Sequence, residues 1–69
     1  MSEFLARLVD ALPEQERRVI RYHYYQGLAF NDIAELFGVT KGRISQIHRQ
    51  ALQLIREARD AIGNVSVSL

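Results

Sequence analysis

Apolar residues recur every three or four positions along most of the chain, which is the period of an amphipathic α-helix. The pattern predicts four helices, at about residues 3–11, 14–26, 30–37 and 41–62. Apolar and polar residues alternate only in residues 64–69, a stretch too short to pair with itself as a hairpin. We therefore expect an all-α fold, a small four-helix domain without a wing, with residues 63–69 frayed.

Local signals mark the ends of these helices. Ser2 is a suitable N-cap for the first helix, and Pro13 both ends that helix and suits the first position of the next. Gly27 and Gly38 fit the left-handed position that follows a helix, and Thr40 is a suitable N-cap for the last helix. The side chains of the second helix that we expect to face inward are Val19, Ile20, His23 and Tyr24.

Residues 30–50 have the pattern of a helix-turn-helix. The small side chain of Ala34 lets two helices approach each other, and Gly38 suits the tight turn between them. Branched and aromatic residues are available to fill the wedge between the helices: Ile33, Phe37, Val39, Ile44 and Ile47. Because this motif inserts its second helix into the major groove of DNA, residues 30–50 are the candidate functional unit.

The last helix has a polar face that suits DNA. If Ile44 and Ile47 face the core, a rotation of about 100° per residue turns polar residues outward. Arg and Lys bind guanine edges or phosphates, Gln pairs with adenine, and Ser bonds to either kind of group. The candidate residues on or beside this face are Thr40, Lys41, Gly42, Arg43, Ser45, Gln46, Arg49, Gln50 and Gln53.

Charge is divided unevenly along the 69 residues, although the net charge is only +1. Residues 1–39 carry four arginines and six acidic residues, which gives −2. Residues 40–69 carry five basic and two acidic residues, which gives +3. A short basic segment on a nearly neutral protein indicates a local surface for an anion such as DNA.

Composition narrows the function classes further. The length suits one domain, residues 1–69, and the absence of cysteine excludes disulfides and thiol chemistry. His23 and His48 have no carboxylate or cysteine nearby at metal-ligand spacing, so we interpret them as structural and expect no metal or cofactor. No apolar run approaches the roughly 18–20 residues of a membrane span. These features predict a cytoplasmic protein that is not an enzyme.

Four segments, in order and with fitting spacing, resemble region 4 of the bacterial sigma-70 family of RNA polymerase sigma factors, the promoter-binding domain of those proteins. The segments are residues 12–17, 24–28, 32–40 and 43–52, and the similarity covers about residues 5–59. The Tyr-Tyr-Gln and Ser-Gln-Ile-His stretches are most similar to the flagellar and motility subgroup.

The resemblance implies that the domain recognises the −35 element of a promoter and docks on the flap of the polymerase β subunit. It assigns base reading to Lys41, Ser45 and Gln46, with Arg49 and Gln50 farther along the same helix. It places Arg43, Phe30 and Asn31 at or near backbone phosphates. An anti-sigma protein covers this domain in the motility subgroup, so such a protein is a further expected partner. We also expect the isolated domain to be a monomer, excised from a longer sigma factor.

Three positions depart from the family's pattern. Gly42 stands where many members have a Glu used in base reading, so the −35 preference cannot be carried over. Ala29 occupies the usual Ser or Thr cap of the third helix, and losing that cap costs about 1 kcal/mol. His23 stands where an apolar residue is usual.

Two alternative functions stay open. The effector domain of a response regulator shares the Pro-x-x-Glu-Arg opening and the helix pair, although residues 45–52 and the long last helix argue against it. A protein-interaction module would use the first helix and the stripe of Val19 and Ile20 as a groove for a helix of an anti-sigma factor or activator.

Overall fold

The computed structural model describes residues 2–67, with side chains for residues 2–62. The helices are α1 (Glu3–Asp10), α2 (Glu14–Ile20), α3 (Phe30–Phe37) and α4 (Lys41–Val67), and α2 continues directly into a π-helical segment, Arg21–Tyr25. No strand occurs among the described residues, so the prediction of an all-α fold with four helices is confirmed. Every helix in that part of the chain is too short or too polar to cross a bilayer.

Two of the predicted end signals in the first half of the chain, Ser2 and Gly27, act as expected. The Ser2 hydroxyl accepts a hydrogen bond from the Leu5 amide at 3.2 Å, which caps α1. Pro13 is the N-cap residue of α2, with a ψ of 155°, so the prediction that it occupies the first helical position is wrong by one residue. Gly27 has a φ of +71° and stops the π segment, because a left-handed residue cannot continue the helix.

The second predicted helix, 14–26, differs from the structure. Only its first half is α-helical, and from Arg21 onward the backbone is π-helical, with the Gln26 amide bonded to the Arg21 carbonyl at 3.2 Å. With this wider turn, Tyr22 packs edge-on against Phe37, and His23 and Tyr24 both contact His48 of α4. Tertiary packing of these rings therefore overrides the regular α-helical period.

The prediction that the last helix ends near Ile62 is wrong. Helix α4 passes through Gly63 and Asn64 and ends at Val67, so the predicted frayed tail is helical over 63–67. A glycine inside a helix costs about 1 kcal/mol relative to alanine, but it ends a helix only by turning left-handed. The last two residues of the predicted tail, 68 and 69, lie outside the described residues.

Two clusters of buried side chains form the interior. The first, which we call the HTH (helix-turn-helix) core, lies between α2, α3 and the start of α4. It consists of Val19, Ile33, Ala34, Ile44 and Ile47. The α1 core lies where α1 and the end of α2 meet the middle of α4 and consists of Val9, Leu12, Ile20 and Ala51. Helix α4 contributes to both cores, so one rigid element joins the two halves of the molecule.

Candidate nucleic-acid interface

The turn of the helix-turn-helix is built by Gly38, whose φ is +69°. Its amide donates to the Glu35 carbonyl at 3.2 Å, and the Val39 amide donates to the Ala34 carbonyl at 3.0 Å. This pair of bonds is the Schellman arrangement, which satisfies carbonyl groups at the end of α3. The Val39 side chain is exposed, so its predicted role in filling the wedge between the helices is wrong.

The first turn of α4 is fixed by a side-chain cap. The Thr40 hydroxyl accepts a hydrogen bond from the Arg43 amide at 3.1 Å, as expected for an N-cap. Ile44 and Ile47 are 0% and 1% exposed, which fixes the rotation of α4 about its axis. The helix therefore turns its polar side outward, as the spacing of the isoleucines predicts.

Most of the predicted DNA-binding side chains lie on that outward surface. Gln46 and Arg49, on which the interpretation depends most, are both exposed. Ser45 is only partly buried, on the flank of the same surface. The other predicted positions of this segment are also exposed: Thr40, Lys41, Gly42, Arg43 and Gln50. The first three turns of α4 thus present amide, guanidinium and ammonium groups together.

Arg43 also reaches the start of α2. Its guanidinium donates to the Gln15 side-chain carbonyl across an exposed contact of 3.4 Å. A bond this long between exposed groups is weak, so Arg43 can exchange it for a charged phosphate at little cost.

The start of α3 is only partly available to DNA. The Phe30 ring is half-buried and packs 4.7 Å from the His23 ring and 5.0 Å from the His48 ring, between ring centroids. Asn31, by contrast, is exposed in the same turn. Ala29 makes no side-chain cap, so the first amides of α3 lack the partner that a Ser or Thr would supply. Of Phe30 and Asn31, only Asn31 therefore has an exposed side chain.

The sequence did not reveal a cluster of aromatic rings that packs against His48 of α4. The Tyr24 hydroxyl lies 2.7 Å from Nε2 of His48, and Nδ1 of His23 lies 2.8 Å from the Leu28 carbonyl oxygen. Burial, and then repulsion by His23, lower the pKa of His48 from its usual value of 6.5. Within the described residues, no three His, Cys, Asp or Glu side chains are grouped to hold a metal ion.

A second surface feature lies beside the α1 core. It is an apolar groove of about 250 Å³, lined by Leu5, Val9, Ile20, Tyr24, Leu52 and Ile55. Tyr24 borders this groove with an exposed ring, so the prediction that it faces inward is wrong, although its hydroxyl turns toward α4. Val19, which was predicted to line such a groove, lies fully inside the HTH core.

Comparisons with known proteins agree with this architecture. The family model described as sigma-70, region 4 matches residues 8–57. The RNA polymerase sigma factor FliA of Pseudomonas aeruginosa is 41% identical over 58 residues, which cover 80% of this chain and 24% of that protein. FliA of Yersinia enterocolitica is 35% identical and FliA of Escherichia coli 33%, each over 48 residues that cover 70% of this chain.

This chain spans about a quarter or less of the length of these relatives. No solved structure matches it significantly. The family match and the helix-turn-helix together place the chain: it belongs to the sigma-70 region 4 family, as the DNA-binding domain of a flagellar-type sigma factor.

Proposed function

We propose that this domain recognises the −35 element of a promoter with the first turns of α4, and that it docks on core RNA polymerase through the β-subunit flap. One observation carries the DNA-binding half of the proposal. Ile44 and Ile47 are fully buried, while Gln46 and Arg49 on the same helix are exposed. The helix that the motif presents to a major groove therefore has base-reading groups on its free side.

The side chains divide into base-reading and phosphate-binding groups. Gln46 can make two hydrogen bonds to an adenine edge, and each such pair contributes about 1–3 kcal/mol of discrimination against the wrong base. Lys41 and Ser45 lie within the same first turns and are further candidates for base reading, followed by Arg49 and Gln50. We assign Arg43 and Asn31, which are exposed at the starts of α4 and α3, to phosphates, which fix register rather than sequence.

Electrostatics limits the affinity of the isolated domain. Residues 40–69 carry only +3, so few phosphates can be neutralised and few counterions released. We therefore expect weak binding that falls steeply with salt. A second attachment, to polymerase, would raise the effective concentration of the domain at the promoter without any new DNA contact.

The apolar groove beside the α1 core supports the docking half of the proposal. Leu5 and Leu52, on its two walls, are each 37% exposed, and an amphipathic helix buries its apolar face in such a groove. We assign the groove to a helix of the β flap, because the chain belongs to a polymerase-associated family. The anti-sigma partner stays a prediction from the resemblance, and we expect it to compete with the flap.

The DNA-binding half is tested by titrating a −35-type duplex and a scrambled duplex at low salt, with fluorescence anisotropy as the readout. The wild-type chain should prefer the −35 duplex, and Gln46→Ala and Arg49→Ala should each reduce that preference by about tenfold. Arg59→Ala is the matched control, since it removes the same charge about 15 Å farther along α4. Equal binding of both duplexes by all four proteins would rule out base reading.

The docking half is tested by a pull-down with the isolated β flap. Leu52→Asp places a charge in the exposed groove wall and should abolish capture while leaving DNA binding intact.

Amide chemical shifts then separate the proposal from its alternative. Changes at residues 40–50 on adding promoter duplex support promoter recognition. Changes confined to residues 4–24 would favour a protein-interaction module instead.

A further inference from the structure

Four aromatic rings from three elements meet beside the first turns of α4. His23 and Tyr24 come from the π segment, Phe30 from α3 and His48 from α4. The His48 ring centroid lies 5.7 Å from those of His23 and Tyr24 and 5.0 Å from that of Phe30. This ring cluster therefore links both helices of the helix-turn-helix to the end of the second helical element.

Hydrogen bonds fix the orientation of both histidines. A carbonyl oxygen can only accept, so Nδ1 of His23 carries a proton and donates it to Leu28. Nε2 of His48 is bonded to the Tyr24 hydroxyl, which can donate to the ring or accept from it according to the tautomer of His48. Both bonds are compatible with uncharged rings packed face or edge against one another.

We propose that His23 and Tyr24 are positioning residues for the recognition helix, which they hold through the uncharged ring of His48, and that sequence-specific DNA binding is therefore acid-sensitive. His48 lies on α4 between Gln46 and Arg49 in the sequence. A change in the packing of its ring therefore rotates or displaces both of those side chains. The DNA part of the inference rests on the proposed function, whereas the coupling between protons and folding does not.

The side chains that pack against His48 would not compensate positive charges on both histidine rings. The π segment contributes His23 and Tyr24, and α3 contributes the uncharged ring of Phe30. On α4, the positions three and four residues away from His48 are all uncharged: Ile44, Ser45, Ala51 and Leu52. None of the ion pairs among residues 2–62 includes either histidine. Two protonated rings would therefore repel each other across the cluster.

The direction of the pH effect follows from this environment. The pKa of His48 is lowered in the folded chain, so the unfolded chain binds the proton more readily. The stability that the neutral His48 contributes is fully present above the usual pKa of 6.5. It is lost as the pH falls from there through the lowered pKa of the folded chain. The unfolding equilibrium constant increases up to about tenfold for each unit by which that pKa is lowered.

The test compares the wild-type 69-residue chain with His48→Gln, with Tyr24→Phe, and with His23→Leu combined with His48→Gln. Gln keeps a neutral hydrogen-bonding group near Tyr24, and the double variant removes both histidines of the chain. Unfolding midpoints in urea and the ratio of −35 to scrambled duplex affinity are measured between pH 7 and 5.5. The ratio cancels the extra non-specific attraction that any added positive charge produces.

We expect wild-type stability and the affinity ratio to fall together on acidification, while His48→Gln and the double variant keep both nearly constant. Tyr24→Phe keeps the ring but loses the hydroxyl, so it should lower the ratio even at pH 7. A wild-type chain whose stability is flat over this range, or a double variant with the wild-type dependence, would overturn the inference. Absence of duplex preference at every pH, with the stability difference present, would instead contradict only the proposed function.

Discussion

The two cores of the domain differ in how completely they are closed. All five residues of the HTH core are at most 6% exposed, because α2, α3 and α4 surround them. The residues of the α1 core are equally buried, but α1 has only eight residues and leaves an apolar groove beside that core. The half with the HTH core thus has a fully buried apolar interior under a polar surface. The half with the α1 core also has apolar side chains that reach the surface, in the groove.

This difference matches two kinds of recognition. Base reading requires a recognition helix held rigidly, and the closed HTH core packs the first turns of α4 against α2 and α3. Helix docking requires accessible apolar area, which the open side of the α1 core provides. Because α4 contributes to both cores, the proposed function assigns neighbouring turns of one helix to a nucleic acid and to a protein.

The largest effect that distinguishes the halves should come from Ile44→Ala in the HTH core. Removing a fully buried isoleucine costs about 3 kcal/mol, a large part of the roughly 5 kcal/mol available to a domain of this size. Leu52→Ala, in the groove wall, should cost less than about 1 kcal/mol, because that side chain is 37% exposed. Urea denaturation followed by circular dichroism measures both.

Ile44→Ala and Leu52→Ala together test whether the HTH core and the groove differ in burial. Equal losses of stability would mean that the groove is as much a part of the interior as the HTH core, and that nothing about it is available for docking. Ile44→Val is a milder control, expected to cost about 0.5–1.5 kcal/mol, in case Ile44→Ala does not fold.

The helix-turn-helix was predictable because its signals are local. Gly38, Thr40, Ile44 and Ile47 lie within ten residues of one another, and each has a direct backbone or packing reason to be where it is. The rotation of α4 follows from the two isoleucines alone. That is why the exposed positions of Gln46 and Arg49 were expected correctly.

What could not be predicted depends on contacts between distant parts of the chain. The ring cluster joins Tyr24 to His48 through a π segment, and no periodic pattern in the sequence indicates that change of register. The same cluster draws the Phe30 ring inward, which its place at the start of α3 does not reveal. The end of α4 was missed for another reason, because Gly63 resembles a stop signal but lies within the helix.

An intermediate effect on stability is expected at the N-termini of α3 and α4, because only α4 has a side-chain cap. Thr40 caps α4, so Thr40→Ala should destabilise the domain by about 1 kcal/mol. Ala29 is extended at the start of α3 but has no side-chain acceptor, so Ala29→Ser should stabilise the domain by a similar amount. Thermal melts of the two variants should move in opposite directions. If Ala29→Ser leaves the melting temperature unchanged, solvent already satisfies those amides.

The smallest effect concerns the surface of the HTH half at Gly42. A Cβ added there would meet only the Thr40 hydroxyl oxygen, at 3.9 Å, so Gly42→Ala fits without strain. It should stabilise α4 by up to about 1 kcal/mol, because alanine has the higher helix propensity. If the missing side chain lets the backbone lie close to the duplex, the same variant should bind the −35 duplex more weakly although it is more stable. Urea titrations and anisotropy on one preparation separate the two effects, and a parallel gain in stability and affinity would show that Gly42 lies away from the DNA.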